Sequence, residues 1–283
     1  MRTQGFSLGI GDMVWGVHVQ DQPAPACPEV YQPFVVAGSP TQTLTIWPDR
    51  PAPDEPLQRV FETDATWSLH QAQASYVLTM LNGRAPRVLR HWVRLSRDFQ
   101  LAELFSSPLS NIAELYPFDQ LWAMHLLAGR DGLLLHGCGV SHRGRGLLFL
   151  GHSGEGKTTM ARLWSSVREA TILSDERVIV QKIGGRYLLY GTPWHGQGVF
   201  AAPGPVPLQH VMILSHGRAN SMNPLTGSGA VAAVLARSLT PYWHQALTDD
   251  CLGTVAGLCR ACPVDRLEVV PDAGVVDFLL SHV

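Results

Sequence analysis

Residues 151–159 read Gly-His-Ser-Gly-Glu-Gly-Lys-Thr-Thr, directly after the apolar run Gly-Leu-Leu-Phe-Leu and directly before Met-Ala-Arg-Leu-Trp, whose apolar spacing is helical. This order of strand, glycine loop and helix constrains the fold more than any other feature of the chain. The stretch satisfies G-x-x-x-x-G-K-[ST] completely. Glycines at 151, 154 and 156 allow backbone conformations closed to other residues, so that successive N–H groups converge on an anion at a helix N-terminus. In such a loop Lys157 reaches the β- and γ-phosphates of a nucleotide as a point charge, and the Thr158 hydroxyl is placed to ligate a bridging Mg²⁺. Gly151, Ser153, Gly154, Glu155, Gly156, Lys157, Thr158 and Thr159 are therefore the expected ATP and Mg²⁺ cradle, with His152 and Glu155 at its variable positions. Of the 21 basic residues only Lys157 and Lys182 are lysines, and one of these two stands where a compact ammonium suits a phosphate loop.

Composition removes competing classes. With 46% hydrophobic and 16% charged residues and a formal charge of −2, the chain is too apolar for a disordered tail and too weakly charged for a module driven by phosphate neutralisation, so no nucleic-acid partner is expected. No apolar run approaches the ~18 residues of a membrane span, and the N-terminal residues lack the pattern of a signal peptide. A cytoplasmic protein with no membrane partner is the expectation. Five cysteines include one C-x-x-C pair, Cys259 and Cys262, a spacing that invites a redox or zinc reading; it closes a helical pattern with only Cys251 nearby, so partly buried thiols are expected instead.

The pattern along the chain predicts an α/β protein in two parts. Residues 1–115 read as a β-rich domain with no chemistry-bearing motif: short strands such as Thr-Leu-Thr-Ile-Trp, a proline-rich loop at 48–56, and a hairpin corner at Asn82-Gly83. At 116 helical spacing begins, with Leu121, Trp122, His125 and Leu126 on one pattern, and a second domain over 116–283 is expected to start there. Two apolar runs joined by Ser-His-Arg-Gly-Arg-Gly predict a hairpin leading into the glycine loop. Residues 170–180 are expected as one further strand carrying Asp175 and Glu176, 227–262 as one or two helices broken at Pro241, and the tail as a strand and a short helix. Arg237, late in an apolar helix, is a weaker candidate for a phosphate contact, since arginine there usually snorkels to solvent.

Asp175 and Glu176 follow Lys157 by only 18 and 19 residues, whereas most phosphate-loop ATPases and GTPases place their Mg²⁺-organising Asp much further downstream. With His136-Gly137 on the strand before the loop, the loop itself, and Asp175-Glu176-Arg177-Val178 after it, the chain resembles the bacterial HPr kinase/phosphorylase family, within the wider group that includes ATP-dependent phosphoenolpyruvate carboxykinase. The resemblance covers about 45 residues. It implies a P-loop kinase domain of that type, with Asp175 as the general base toward the substrate hydroxyl, Glu176 helping Asp175 and Thr158 to hold Mg²⁺, and His136 lining the site beside the transferred phosphoryl. By themselves an acidic pair ending a strand also fits a solvated turn, and a His in an apolar strand also fits a satisfied core residue.

The acid-Ile-Arg-Gly-type signature that HPr kinases carry downstream is missing; this chain has Gly191-Thr192-Pro193-Trp194-His195-Gly196-Gln197-Gly198. With it goes the sequence basis for a phosphorylase reaction and for HPr as partner. The chain is more similar to the divergent HPr-kinase-like proteins found with peptide-modification gene cassettes, some of which phosphorylate a serine of a precursor peptide. The resemblance thus implies an ATP-dependent serine kinase acting on a protein or peptide, with self-association as in the hexameric HPr kinases. Two alternatives stay open: an ATP-binding sensor or assembly factor without transfer, and a small-molecule kinase. The Pro193–Gly196 loop is a candidate substrate wall, or a cap on the core through Trp194 and His195.

Overall fold

The computed structural model of the protein describes residues 3–63, 66–81 and 88–282, and the expected Asn82-Gly83 corner lies outside them. The protein is mixed α/β, with two many-stranded sheets and few helices. It separates into two compact units, residues 1–126 and 127–283.

In the first unit eight strands form one sheet: β1 (Thr3–Ile10), β2 (Met13–Gln20), β3 (Gln42–Pro48), β4 (Gln58–Glu62), β5 (Trp67–Gln71), β6 (Ser75–Leu81), β7 (Leu89–Ser96) and β8 (Leu101–Ser106). Their order is β1-β2-β3-β8-β7-β6-β5-β4, antiparallel except at β2–β3 and β3–β8. Alternation sets the buried face: Met13, Trp15, Val17 and Val19 of β2 point inward, as do Leu44 and Ile46 of β3. Helix α1 (Phe118–Ala128) begins near the expected place, yet most of it belongs to this first unit. Trp122 explains why: its indole is wholly buried, its ring centroid lies 4.6 Å from that of Trp15, and its Nε1 donates to the Phe99 carbonyl at 2.6 Å.

The second unit is organised around one long strand, β9 (Gly132–His142). It forms the expected hairpin with β10 (Arg145–Leu150), which runs into the glycine loop and α2 (Lys157–Ser165). There follow β11 (Ala170–Ser174), β12 (Arg177–Ile183), β13 (Arg186–Gly191), β14 (Val206–His216), β15 (Ser221–Pro224), α3 (Gly227–Leu235), β16 (Ser238–Leu239), α4 (Gln245–Ala261), β17 (Val264–Val269) and α5 (Gly274–Leu280). The pairings β9–β12, β12–β13, β13–β14, β14–β10 and β10–β9 close a ring, and β17 and β15 extend the sheet beyond β14.

β9 changes neighbours halfway along. Residues 132–136 pair with β12 on one side, with β16 opposite at 134–135; residues 137–142 pair with β10, and 139–142 also with β11. β11 and β12 are thus two pieces of the single strand expected from sequence, interrupted at Asp175 and Glu176. The register resumes across the gap, with Ser174 opposite Gly139 and Arg177 opposite His136.

The unbroken apolar run of β10 has a direct cause in layering. Leu148 and Leu150 face a core closed by α3 and α4, while Leu147 and Phe149 face a second core closed by α2 and α5, so neither face meets water. Cys251, Cys259 and Cys262 lie on or at the end of α4; burial raises all three thiols, Cys251 to about 11, and Cys262 is directed at the Leu208 carbonyl. Among the described residues no helix is long and apolar enough to cross a membrane.

Trp164 fastens α2 to the sheet. It is fully buried, with its ring centroid 5.5 Å from that of His142 and 6.4 Å from that of Phe149. Trp164→Ala should cost about 3–5 kcal/mol, read from the urea midpoint. Trp164→Phe deletes an indole N–H that has no partner among the described residues and should cost much less; equal losses in the two variants would show that packing volume does not hold this helix.

Candidate functional site

The glycine loop turns through two left-handed residues, Gly154 at φ +88° and Gly156 at φ +98°, where any side chain would be strained. That turn delivers the chain into α2 with Lys157 as its first residue. Lys157 is buried, and its ammonium donates to the carbonyls of Gly151 and His152, both at 2.9 Å. Desolvation is the main effect on that ammonium and pushes its pKa down, with the neighbouring Glu176 and Glu155 carboxylates opposing. Ser153 and Gly154 are exposed, whereas Glu155, Thr158 and Thr159 are half-buried.

The acids follow α2 and β11 in the chain. Asp175 has no exposed surface, a costly position for a carboxylate unless its oxygens are satisfied. They are: Oδ1 accepts the Gly196 N–H at 2.7 Å, and Oδ2 accepts the Gly198 N–H at 2.8 Å and the Thr158 hydroxyl at 3.3 Å. A Cβ on Gly196 or Gly198 would lie 2.9 or 2.8 Å from Asp175 Oδ2, so glycine at both positions is what lets the two amides come this close. The 191–198 loop thus serves the site through its backbone, while Trp194 is buried in the core and His195 Nδ1 is 2.8 Å from the Gly196 carbonyl. The residue-by-residue reading missed Gly196 and Gly198; the signal available was the G-x-G spacing itself.

Glu176 has a different setting, half-buried with its side chain 35% exposed. Its Oε1 is 3.2 Å from His136 Nε2 and 3.0 Å from Arg177 Nη1. The His136 hydrogen bond is the largest cause holding this carboxyl below its ordinary range, against a smaller opposing effect of burial. His136 and Glu176 meet where β9 changes neighbours, and the Gly137 N–H donates to the Glu176 carbonyl at 3.1 Å. The Ser174 hydroxyl accepts the N–H groups of Glu176 and Arg177, fixing the turn that breaks the strand.

Arg237 departs from expectation. It lies just beyond α3 and is turned inward, not snorkelling: its side chain is only 11% exposed, and its Nη2 is 3.5 Å from Glu155 Oε2 on the glycine loop. The structure therefore gathers His136, Glu155, Lys157, Thr158, Asp175, Glu176 and Arg237 about one loop. Among the described residues no group of three or more His, Cys, Asp or Glu side chains could hold a metal. A hydroxyl and one or two carboxylates are donors that a Mg²⁺ ion would use only with further oxygens from a ligand and water completing its shell. No protein-family model matches the chain, and no curated protein sequence matches it.

The His136–Glu176 contact has a pH signature. Because the folded carboxyl is held low, its contribution to stability is complete above the unfolded value of about 4.3 and is lost as pH falls through the lower folded value. His136→Ala should move the Glu176 titration, followed by side-chain ¹³C NMR, up toward 4.3. An unmoved midpoint would assign the low pKa to Arg177 instead.

Proposed function

We propose that residues 127–283 form an HPr-kinase-like P-loop phosphotransferase unit that moves the γ-phosphoryl group of ATP to a hydroxyl, most plainly a serine of a protein or peptide. The observation that carries this reading is the Thr158–Asp175 hydrogen bond at 3.3 Å, which joins the last residue of the phosphate motif to a buried carboxylate. A loop lysine, a hydroxyl and an acid at this spacing are what Mg²⁺-dependent phosphoryl transfer requires, since that chemistry rests on positioning and charge neutralisation more than on covalent steps.

Burial divides the work of the two acids. Asp175, with two amides and a hydroxyl already on its oxygens, suits the metal side together with Thr158. Bound there, Mg²⁺ would neutralise charge on the transferring phosphoryl oxygens. Glu176, ionised at neutral pH and oriented by His136, has the exposed surface from which a carboxylate can accept the proton of an acceptor hydroxyl. This reverses the roles that the resemblance implies for the pair, and the reason is access. Lys157 would exchange its two loop carbonyls for phosphate oxygens, and backbone amides of the loop would hold the rest.

Calorimetric titration with Mg-ATP should show saturable binding that Lys157→Ala abolishes. Glu176→Gln should keep that binding and lower γ-phosphoryl transfer to a serine-containing peptide by about 10²-fold or more. Unchanged transfer in Glu176→Gln would return the base role to Asp175, and binding without transfer by the wild type would favour a nucleotide sensor.

A further inference from the structure

We infer that Arg237 is a phosphate ligand of the nucleotide site and that Glu155 masks it in the unliganded protein, its carboxylate standing in for a phosphate oxygen. The inference rests on the nucleotide-binding reading above. Glu155 Oε2 accepts the backbone N–H of His152, one of the loop amides that an anion would otherwise engage, and the same oxygen lies 3.5 Å from Arg237 Nη2. The side chain folds back over the start of the loop, so that a Cβ on Gly151 would come within 3.1 Å of both Glu155 Cβ and Oε2. One carboxylate oxygen thus takes a loop amide and a guanidinium, the two kinds of donor that hold a bound phosphate.

The guanidinium is incompletely used. Nη1 donates to the Ala233 carbonyl at 3.0 Å, Nη2 has only the long contact to Glu155, and Nε is buried with no partner among the described residues. Nε–H and one Nη2–H form a single edge of the guanidinium, the edge that receives two oxygens of a phosphate side-on. Glu155 occupies one end of it loosely and leaves the other empty. An unfilled buried donor is costly, so a ligand able to fill both ends has a ready advantage over Glu155. The Arg237 backbone is also fixed, its carbonyl accepting the His136 N–H at 2.8 Å, so a phosphate held by Arg237 is held against the strand that carries His136.

Mg-ATP binding measured by calorimetry on the full chain tests this with four proteins: the wild type, Glu155→Gln, Arg237→Lys and the double variant, each checked for folding by circular dichroism. Glu155→Gln should bind about tenfold more tightly, one step of about 1.4 kcal/mol. Arg237→Lys keeps the charge but lacks the fork, and should bind about tenfold more weakly or worse. The deciding result is the double variant, in which Glu155→Gln should bring little gain because nothing is left to unmask. Tenfold gain from Glu155→Gln in both backgrounds would mean that it acts only by removing a negative charge, and would overturn the inference while leaving the nucleotide reading intact. So would equal affinities throughout. Absence of binding in all four folded proteins would sink the nucleotide reading and the inference with it.

Discussion

A carboxylate without exposed surface must find its hydrogen-bond partners inside the protein, and Asp175 finds three donors on two separate segments of the chain. The need to satisfy it fixes the rest of the site. Thr158 ties the first turn of α2 to the acid, and the amides of Gly196 and Gly198, 21 and 23 residues downstream of it, pull in their loop. Removing the carboxylate would strand two backbone donors, so the loop, the helix and the acid form one coupled polar network. This is the sense in which a segment with no chemistry of its own, residues 191–198, belongs to the site.

The frame for that network is β9. Because it changes neighbours at His136 and Gly137, the strand alongside it can break for two residues without losing register, and the break is where the two acids sit. Adjacent residues on a broken strand then meet opposite surroundings. Asp175 turns in among backbone amides, while Glu176 remains near water between a histidine and an arginine. Two like carboxylates thus meet different environments, one sealed among backbone amides and the other half-exposed and held ionised mainly by its histidine partner.

The polar groups of the glycine loop find partners within the protein. Lys157 donates to loop carbonyls, and Glu155 accepts a loop amide while pairing with Arg237. On the nucleotide-binding reading proposed above, a polyphosphate would have to take over these partners one by one, and binding would be an exchange of partners. Buried polar groups held by internal partners avoid the cost of lying unpaired.

The hairpin, the glycine loop, the helix after it and the two acids were legible in sequence because each is a local pattern: apolar runs of strand length, glycines where left-handed backbone is needed, and helical spacing in 160–164. What sequence misjudged depends on contacts distant along the chain. The helix at 118–128 was expected with the second domain, but Trp122 is claimed by Trp15 and Phe99 of the first unit. Residues 170–180 carry one continuous strand pattern, and only the change of neighbours along β9 breaks it. Arg237 reads as a snorkelling side chain because nothing near it in sequence shows that Glu155 waits 3.5 Å away. Local propensity and periodicity determined which elements form, since they act through neighbours within a turn or two; which carboxylate is buried, and what each polar group faces, was decided by tertiary packing, because desolvation and charge pairing depend on whatever the fold brings within a few ångströms.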